Sequence, residues 1–299
     1  MLPDTLNTLR TDSPLLALGV PHLDQYFGVW AILEEPFRAA VARAKQINLQ
    51  VHVAETRAQQ IQQQPKAAGD RKPYGMSGSV AVIEMSGELM KFASSLSSGT
   101  GTVAVRRQVR AAAADEDVGA IVLRIDSPGG TVSGTQDLAD DVAAAAAKKP
   151  VYAFIEDLGA SAAYWVASQA SKIFAANATT IVGSIGTFAV IEDQSGAAAM
   201  EGVKVHVIRA GEFKGGTVAG APVEQKTLAW WQEMVDALNE QFVRGVAKGR
   251  GLTLTRVREL ADGRAHVGQA AAALGLVDGI QSFDETLSQL QKKSASSTV

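Results

Sequence analysis

Ser161 is the residue of this chain whose type and position most directly suggest chemistry. It lies in the stretch FIEDLGASAAYWVASQA, residues 154–170, where an apolar strand is predicted to run into a helix. A serine at such a junction can cap the helix, because its hydroxyl accepts a hydrogen bond from a free backbone N–H. It can equally be a nucleophile, because a strand-to-helix turn exposes the side chain beside unpaired N–H groups. The stretch alone leaves both interpretations open.

A glycine-containing loop could supply hydrogen-bond donors to such a nucleophile. The stretch DSPGGTVSG, residues 126–134, follows an apolar strand. Gly129 and Gly130 carry no Cβ, so their backbone N–H groups could approach a ligand closely and donate to a developing oxyanion. A tight turn between a strand and a helix is the structural alternative.

A second stretch, TIVGSIGTF at residues 180–188, has a β-like pattern with interspersed glycines. Such a segment could bind an extended peptide by strand addition. An edge strand with a bulge is the alternative. The candidate substrate-binding residues are Gly183, Ser184, Ile185 and Gly186.

A nucleophilic serine needs a base, and the chain offers histidines and a lysine. The histidines are His22, His52, His206 and His266. None falls at a predicted strand end opposite Ser161, although His266, in a predicted loop-to-helix segment, stays a candidate. Lys214 follows a predicted strand within VHVIRAGEFKGGTVAG. A lysine that is desolvated in an apolar pocket loses its proton and can act as a general base, whereas an ordinary loop lysine stays solvated.

The elements that must position these residues follow an α/β pattern from Ser79 onward. The predicted strands are VAVIEM, GAIVLRID, VYAFI, KIFAA and VKVHVI, and alanine-rich helices alternate with them. This alternation predicts a largely parallel sheet with flanking helices. The strands are apolar along their whole length, which predicts burial on both faces. Ligands of such sheets bind beyond the carboxyl ends of the strands.

The domain organisation is predicted from changes in composition. Residues 1–55 are predicted to be a helical N-terminal extension, with VWAILEEPFRAAVARAKQI at helical spacing and Pro36 as an interruption. Residues 56–78, rich in glutamine, proline and glycine, are predicted to be a linker. The core is predicted over 79–287, including the long amphipathic stretch LAWWQEMVDALNEQFVRGVAKGRG, and 288–299 is predicted to be a flexible tail.

Composition excludes several classes of function. The net charge of the 299 residues is −3, without a basic stripe, which gives no electrostatic reason to expect nucleic acid. Cysteine is absent, so the chain has no disulfide, no thiol nucleophile and no cysteine-ligated zinc. The N-terminus lacks the pattern of a signal peptide, and no apolar run approaches the ~18 residues of a membrane span. We therefore expect a cytoplasmic protein without a membrane anchor.

Five motifs occur in an order that resembles the signal peptide peptidase A family of serine peptidases, which has the Clp-protease/crotonase type of fold. They are IDSPGGTV, GASAAYWVA, TTIVGSIGTF, GVKVHVIRAGEFKGG and ADGRAHVGQAAAALGLVD, spanning roughly residues 79–287. The resemblance implies that Ser161 is the nucleophile, that Lys214 is the general base, and that Gly129 and Gly130 contribute to the oxyanion hole. It implies no metal and no cofactor.

The chain departs from the family pattern in two places. Ala162 and Ala163 stand where the family more often has two glycines after the nucleophile. After Lys214 the family reaches a serine-proline pair within a few residues, whereas this chain is longer there and has Ala221 before its proline. The hydroxyl that steadies the lysine is therefore not identified, and Thr217 is a candidate.

The N-terminal FGVWAILEEPFRAAVARA resembles the phage and prophage branch of the family, whose members are similar to capsid-assembly proteases that act on scaffold and portal proteins. The resemblance to half-size members of the family, which like this chain have one copy of the core, implies a homo-oligomer whose serine and lysine come from adjoining subunits. The helix with Trp230 and Trp231 is apolar over more of its surface than one buried stripe needs. A crotonase-like acyl-thioester enzyme using Glu156, Asp157 or Glu192, and a non-catalytic assembly scaffold, are the alternative functions.

Overall fold

The computed structural model describes residues 28–46, 72–93 and 99–296 of the chain. Their strands are β1 (Trp30–Ile32), β2 (Gly75–Ser77), β3 (Val80–Ser86), β4 (Leu89–Met90), β5 (Thr100–Gly101), β6 (Ala120–Ser127), β7 (Gly129–Thr131), β8 (Val151–Ala160), β9 (Lys172–Ala175), β10 (Ile181–Gly183), β11 (Ala265–Val267) and β12 (Gly279–Ile280). Their helices are α1 (Glu34–Gln46), α2 (Thr102–Ala114), α3 (Thr135–Ala146), α4 (Ala162–Ala167), α5 (Ser195–Met200), α6 (Gln225–Arg250), α7 (Leu254–Leu260), α8 (Gly268–Ala273) and α9 (Phe283–Ser296).

The main sheet has a parallel centre and antiparallel edges. Its order is β11-β10-β8-β6-β3-β2, in which β10, β8, β6 and β3 run parallel while β11 and β2 are antiparallel to their neighbours. Most of the β6 and β8 side chains are buried, as expected for strands covered on both faces. The predicted α/β class, a parallel sheet with flanking helices, is confirmed.

Two helices cover one face of this sheet through apolar stripes at helical spacing. Helix α2 buries Val105, Val109 and Ala112, and α3 buries a similar stripe that includes Leu138 and Val142. Residues three, four and seven positions apart share one helix face, so each stripe points into the same core. The same core includes Ile125 of β6 and Ile155 of β8.

A smaller sheet contains the N-terminal strand, which corrects the prediction of a wholly helical extension. Its order is β1-β7-β4-β5, with β1 antiparallel to β7. Helix α1 begins only at Glu34, so Pro36 lies in its first turn, where a missing N–H breaks no helical hydrogen bond. Pro36 is therefore not an interruption. The rest of the predicted extension, residues 1–27 and 47–55, lies outside the described residues.

The predicted linker, 56–78, extends too far. Residues 56–71 lie outside the described residues, but β2 pairs with β3. Lys72 forms an ion pair with Asp115 at 2.8 Å, and the Tyr74 hydroxyl donates to the same carboxylate at 2.6 Å. The hydrogen bond from Lys72, followed in effect by that from Tyr74, lowers the pKa of Asp115 to about 2. The chain is thus attached to the core from residue 72.

The predicted strand VKVHVI, residues 203–208, is wrong. This segment has no regular secondary structure, and the side chain of Ile208 is 95% exposed. Alternating β-branched residues favour a strand only where a neighbouring strand and an apolar layer receive them. None of the described strands pairs with this segment.

The predicted flexible tail, 288–299, is also wrong over residues 288–296, because α9 continues to Ser296. Leu290 is completely buried and packs with Phe283 and Leu287 of the same helix against side chains of β3, β6, β8 and β9. The spacing of these residues forms one apolar stripe, which the polar composition of the last residues conceals. Residues 297–299 lie outside the described residues.

We expect Leu290→Ala to lower the free energy of unfolding by about 2–5 kcal/mol, because it leaves a cavity between α9 and the sheet. Urea denaturation measures the change. Ser288→Ala is the matched control on the exposed side of the same helix, with an expected change within about 0.5 kcal/mol. Equal stability of the two variants would contradict a packed C-terminal helix.

Candidate active site

Ser161 connects β8 to α4 in a backbone conformation that is rare for residues with a side chain. Its φ is 54° and its ψ is −119°. Its N–H donates to the carbonyl of Gly183 at 2.7 Å, and its own carbonyl accepts the N–H of Trp165 at 2.9 Å. Although Ser161 occupies the position of the helix cap, its side chain makes no capping hydrogen bond. The hydroxyl therefore does not serve the capping role that the sequence left open.

The residues after Ser161 are fixed in the core. The Tyr164 hydroxyl donates to the carbonyl of Leu276 at 2.8 Å, and burial raises the pKa of this phenol, which keeps it a neutral donor. The ring of Trp165 stacks on Phe242 with centroids 4.8 Å apart. The backbone turn at Ser161 is consequently held from its carboxyl side by packed side chains.

The loop with Gly129 and Gly130 lies directly beside Ser161. A Cβ added to Gly129, whose φ is 101°, would lie 2.9 Å from Cβ of Ser161 and 2.3 Å from the carbonyl oxygen of Ala31. A Cβ added to Gly130 would lie 1.7 Å from the carbonyl oxygen of Leu89. Both positions need glycine because other parts of the backbone pass so close. The structure thus brings the predicted glycine loop and the predicted nucleophile together.

Ser127 is a residue of this loop that the sequence analysis missed. Its side chain is fully buried; Oγ donates to the carbonyl of Gly87 at 2.7 Å and accepts the N–H of Gly129 at 3.2 Å. A serine that precedes a turn and bonds to the backbone two residues ahead is a known turn pattern. That pattern was present in the sequence as the serine before the proline and two glycines.

The predicted substrate-side segment lies along the next strand. Gly183 ends β10 with a φ of 104°, and Ser184 has a φ of 51° and donates its N–H to the carbonyl of Arg264 at 2.9 Å. Ile185 is buried, and the carbonyl oxygen of Gly186 is 3.4 Å from Oγ of Ser161. The strand character predicted for 180–188 holds over β10 and at Phe188, which forms an isolated antiparallel bridge with Trp30.

Lys214 is not brought to Ser161 within one chain. Its side chain is exposed in a turn, whereas Ser161 is fully buried. Among the described residues, no hydrogen bond or ion pair is formed by Nζ of Lys214; the neighbouring Glu212 instead pairs with Lys226 at 3.1 Å. Thr217 is exposed as well. A complete serine-lysine pair is therefore absent from the described part of a single chain.

One histidine lies near the substrate-side strand. His266 belongs to β11, where a loop was predicted, and pairs with Val182 of β10. Its Cδ2 atom would lie 3.4 Å from a Cβ on Gly183. His206 is exposed in the irregular segment, while His22 and His52 lie outside the described residues.

The acidic residues of the alternative acyl-thioester function are already paired or exposed. Glu156 accepts hydrogen bonds from Arg124 at 2.8 and 2.5 Å, and this contact raises the pKa of the guanidinium. Asp157 and Glu192 are exposed. Burial, and then the charges of Asp157 and Glu156, raise the pKa of Asp126 at the start of the glycine loop. None of the described contacts joins an acidic side chain to Ser161.

A family model now identifies the chain. A serine on a strand-to-helix turn beside a glycine loop is an arrangement that hydrolases use. The model of peptidase family S49 matches residues 143–297 of this chain. Since the match covers more than half of the chain, the protein belongs to peptidase family S49. The predicted family resemblance is confirmed. The matched range includes Ser161 and Lys214, while Gly129 and Gly130 precede it.

Several curated relatives carry protease or phage-head names. Protease 4 of Salmonella typhi is 31% identical over 73% of this chain and 35% of its own length. Capsid assembly protease C of Escherichia phage lambda is 29% identical over 74% of this chain and 50% of its own length. Head-tail preconnector protein GP5 of Enterobacteria phage P21 is 30% identical over 74% of this chain and 45% of its own length. The chain spans 35% to 57% of the first relatives that it matches.

Among the described residues, no helix combines the length and the apolar character that crossing a membrane requires.

We expect Ser127→Ala to lower the free energy of unfolding by about 1–3 kcal/mol, because the buried carbonyl of Gly87 and N–H of Gly129 lose their shared partner. Urea denaturation provides the measurement. Ser133→Ala, in the same connection but exposed, is the control and should leave stability within about 0.5 kcal/mol of the parent. A Ser127→Ala protein as stable as this control would show that Ser127 does not hold the loop.

Proposed function

We propose that the chain is a serine endopeptidase whose nucleophile is Ser161. The observation that carries the proposal is the backbone of Ser161, which has a φ of 54°, lies beside Gly129 and carries a hydroxyl that caps no helix. A strained conformation at a serine beside a glycine loop is typical of nucleophiles on strand-to-helix turns. Membership of peptidase family S49 supports the same reaction class.

The proposed reaction uses a serine-lysine pair. The neutral amine of Lys214 takes the proton of the Ser161 hydroxyl while Oγ attacks the carbonyl carbon of a peptide bond. The N–H of Gly130 donates to the resulting oxyanion, and the N–H of Gly129 joins it by exchanging its hydrogen bond to Oγ of Ser127 for one to the oxyanion. The protonated lysine gives its proton to the leaving amine, and water then releases the acyl group from the serine.

The proposed substrate is an extended protein segment that pairs with Gly183, Ser184, Ile185 and Gly186. Strand addition gives affinity through main-chain hydrogen bonds, whatever the side chains. The names of two phage relatives, a capsid assembly protease and a head-tail preconnector protein, support a role in head assembly, for which we propose scaffold, portal or capsid proteins as substrates. This role would place the protein in the cytoplasm.

We further propose that Lys214 serves the Ser161 of a neighbouring copy of this chain. Because Lys214 is exposed and makes no contact with Ser161 among the described residues of one chain, a lysine from a neighbouring copy could complete the site. Lys214 lies in a segment, residues 190–218, that exposes many apolar side chains, as a subunit contact would. Its exposed apolar side chains are Val190 at 58%, Met200 at 91%, Val203 at 51%, Ile208 at 95%, Phe213 at 42% and Val218 at 44%.

Helix α6 supports the same assembly. One face of its second half is buried, with Phe242 fully inside the core. Its first half leaves Leu228 39% and Met234 38% exposed, and Trp230 lies between Trp231 and Phe213 with centroid distances of 5.1 and 6.0 Å. The apolar surface predicted for this helix thus continues into the segment of Lys214.

We expect Ser161→Ala to reduce cleavage of labelled casein by at least about 1000-fold, since a nucleophile is lost. The far-ultraviolet spectrum and the unfolding midpoint should stay close to those of the parent, because the hydroxyl caps no helix. Ser288→Ala should retain parental activity. Cleavage by the alanine variant at the parental rate would place the nucleophile elsewhere, and uncleaved casein with every variant, the parent included, would favour a scaffold.

We expect a mixture of inactive Ser161→Ala and Lys214→Ala chains to regain activity after subunit exchange, because some shared sites would then hold an intact serine and an intact lysine. Casein cleavage measures the gain, and exchange is verified with isotope-labelled chains by native mass spectrometry. His266→Gln alone should remain active. Mixed assemblies without any recovery, or an active monomer by light scattering, would refute a shared site.

A further inference from the structure

We propose that strand β1 is an intramolecular occupant of the peptide-binding cleft beside Ser161, and that it must leave before a substrate can reach the serine. The inference rests on the proposed function, because it takes Ser161 as the nucleophile and the glycine loop as the oxyanion site. It makes the described conformation a self-blocked form of the enzyme.

Strand β1 lies between the two segments that would bind a substrate. On one side, the N–H of Trp30 donates to the carbonyl of Phe188 at 2.8 Å, and the N–H of Phe188 donates to the carbonyl of Trp30 at 2.9 Å. On the other side, β1 pairs with β7 in antiparallel register. Main-chain pairing along both edges is how a cleft binds an extended peptide.

The register directs the carbonyl of Ala31 at the glycine loop. In an extended strand, the peptide groups of successive residues face opposite edges, and those of Trp30 face Phe188. The peptide groups of Ala31 therefore face β7, where Ala31 stands opposite Gly130. The N–H of Gly130, proposed above to stabilise an oxyanion, thus faces a carbonyl of the chain itself.

The same carbonyl is close to the nucleophile. A Cβ on Gly129 would contact both the carbonyl oxygen of Ala31, at 2.3 Å, and Cβ of Ser161, at 2.9 Å. Ala31 and Ser161 are both fully buried. With β1 in place, the carbonyl of another peptide has no access to Oγ of Ser161.

Side chains hold the strand in this position. The ring of Phe37 in α1 packs edge-on between Trp30 and Phe188, with centroid distances of 5.2 and 5.3 Å. Ile32 is buried with Met90 in the same cluster. Trp30 and Ile32 belong to this smaller cluster, and only the small side chain of Ala31 belongs to the main core. Detachment of the strand would therefore remove one methyl group from the main core.

Thiol reactivity at position 161 tests whether the strand covers the site without relying on catalysis. The chain has no cysteine, so Ser161→Cys introduces a single thiol. Ala31→Asp puts a carboxylate at a fully buried position, where it cannot be solvated, and should expel β1. We expect iodoacetamide to alkylate Ser161→Cys/Ala31→Asp at least tenfold faster than Ser161→Cys, as measured by intact mass.

Ala39→Asp is the matched control, because it adds the same charge at an exposed position of α1. It should leave the alkylation rate of Ser161→Cys unchanged. Equal alkylation rates with Ala31→Asp and Ala39→Asp, in folded proteins, would overturn the proposal.

Casein cleavage tests whether the cover is inhibitory. With Ser161 intact, Ala31→Asp should cleave labelled casein several-fold faster than the parent and the Ala39→Asp control. A folded Ala31→Asp protein that is alkylated faster but cleaves more slowly would overturn the proposal, because β1 would then be part of the working site.

A reversible disulfide tests the same point without destabilising the strand. Trp30 and Thr131 form a non-hydrogen-bonded pair of the antiparallel ladder. The Cα atoms of such a pair are close enough for a disulfide. We expect oxidised Trp30→Cys/Thr131→Cys to cleave casein at least tenfold more slowly than its reduced form, while neither single variant responds to reductant. Equal activity of the oxidised and reduced forms would overturn the proposal. Absence of cleavage from every form, together with faster alkylation in Ala31→Asp, would instead refute the peptidase function.

Discussion

The hydrogen bond from the N–H of Ser161 to the carbonyl of Gly183, 2.7 Å long, joins the carboxyl ends of β8 and β10 where the chain must turn sharply. It holds Ser161 at a positive φ, a conformation that an isolated serine would avoid. Without this bond the backbone could relax, and the hydroxyl would move away from the glycine loop. One contact therefore positions both the candidate nucleophile and the candidate substrate-side strand.

The parallel sheet explains why so much converges at this point. Strands β6, β8 and β10 are parallel neighbours, so their carboxyl ends meet at one edge and deliver the glycine loop, Ser161 and Gly183 together. The β6–β8 pairing shifts register between Ile125 and Ser127, where β6 leaves the regular ladder. Ser127 then fixes the loop through two backbone contacts. The site is thus built from main-chain geometry more than from side-chain charge.

The sequence predicts the turns at the carboxyl ends of β6 and β8 well, because each turn is specified by residues that are adjacent in the sequence. An apolar strand followed by small residues and Ser161, and a proline-glycine-glycine turn after the preceding strand, each imply their own geometry. The contacts of Trp30 and Leu290 were missed because they join segments far apart in sequence. The three-residue strand β1 has too few residues for a period-two pattern, and the apolar stripe of α9 is diluted by lysines, serines and glutamines.

Two features of the site point to control by assembly. The candidate base is exposed on a segment with several solvent-facing apolar side chains, while the candidate nucleophile is buried under a strand of its own chain. A single chain is thus both incomplete and covered, which would protect other proteins from premature cleavage. In the proposed assembly, neighbouring copies would supply the lysine, but they would not by themselves remove β1. Because the two proposed restraints involve different residues, completion of the site and opening of the cleft would be separate steps, and activity would require both.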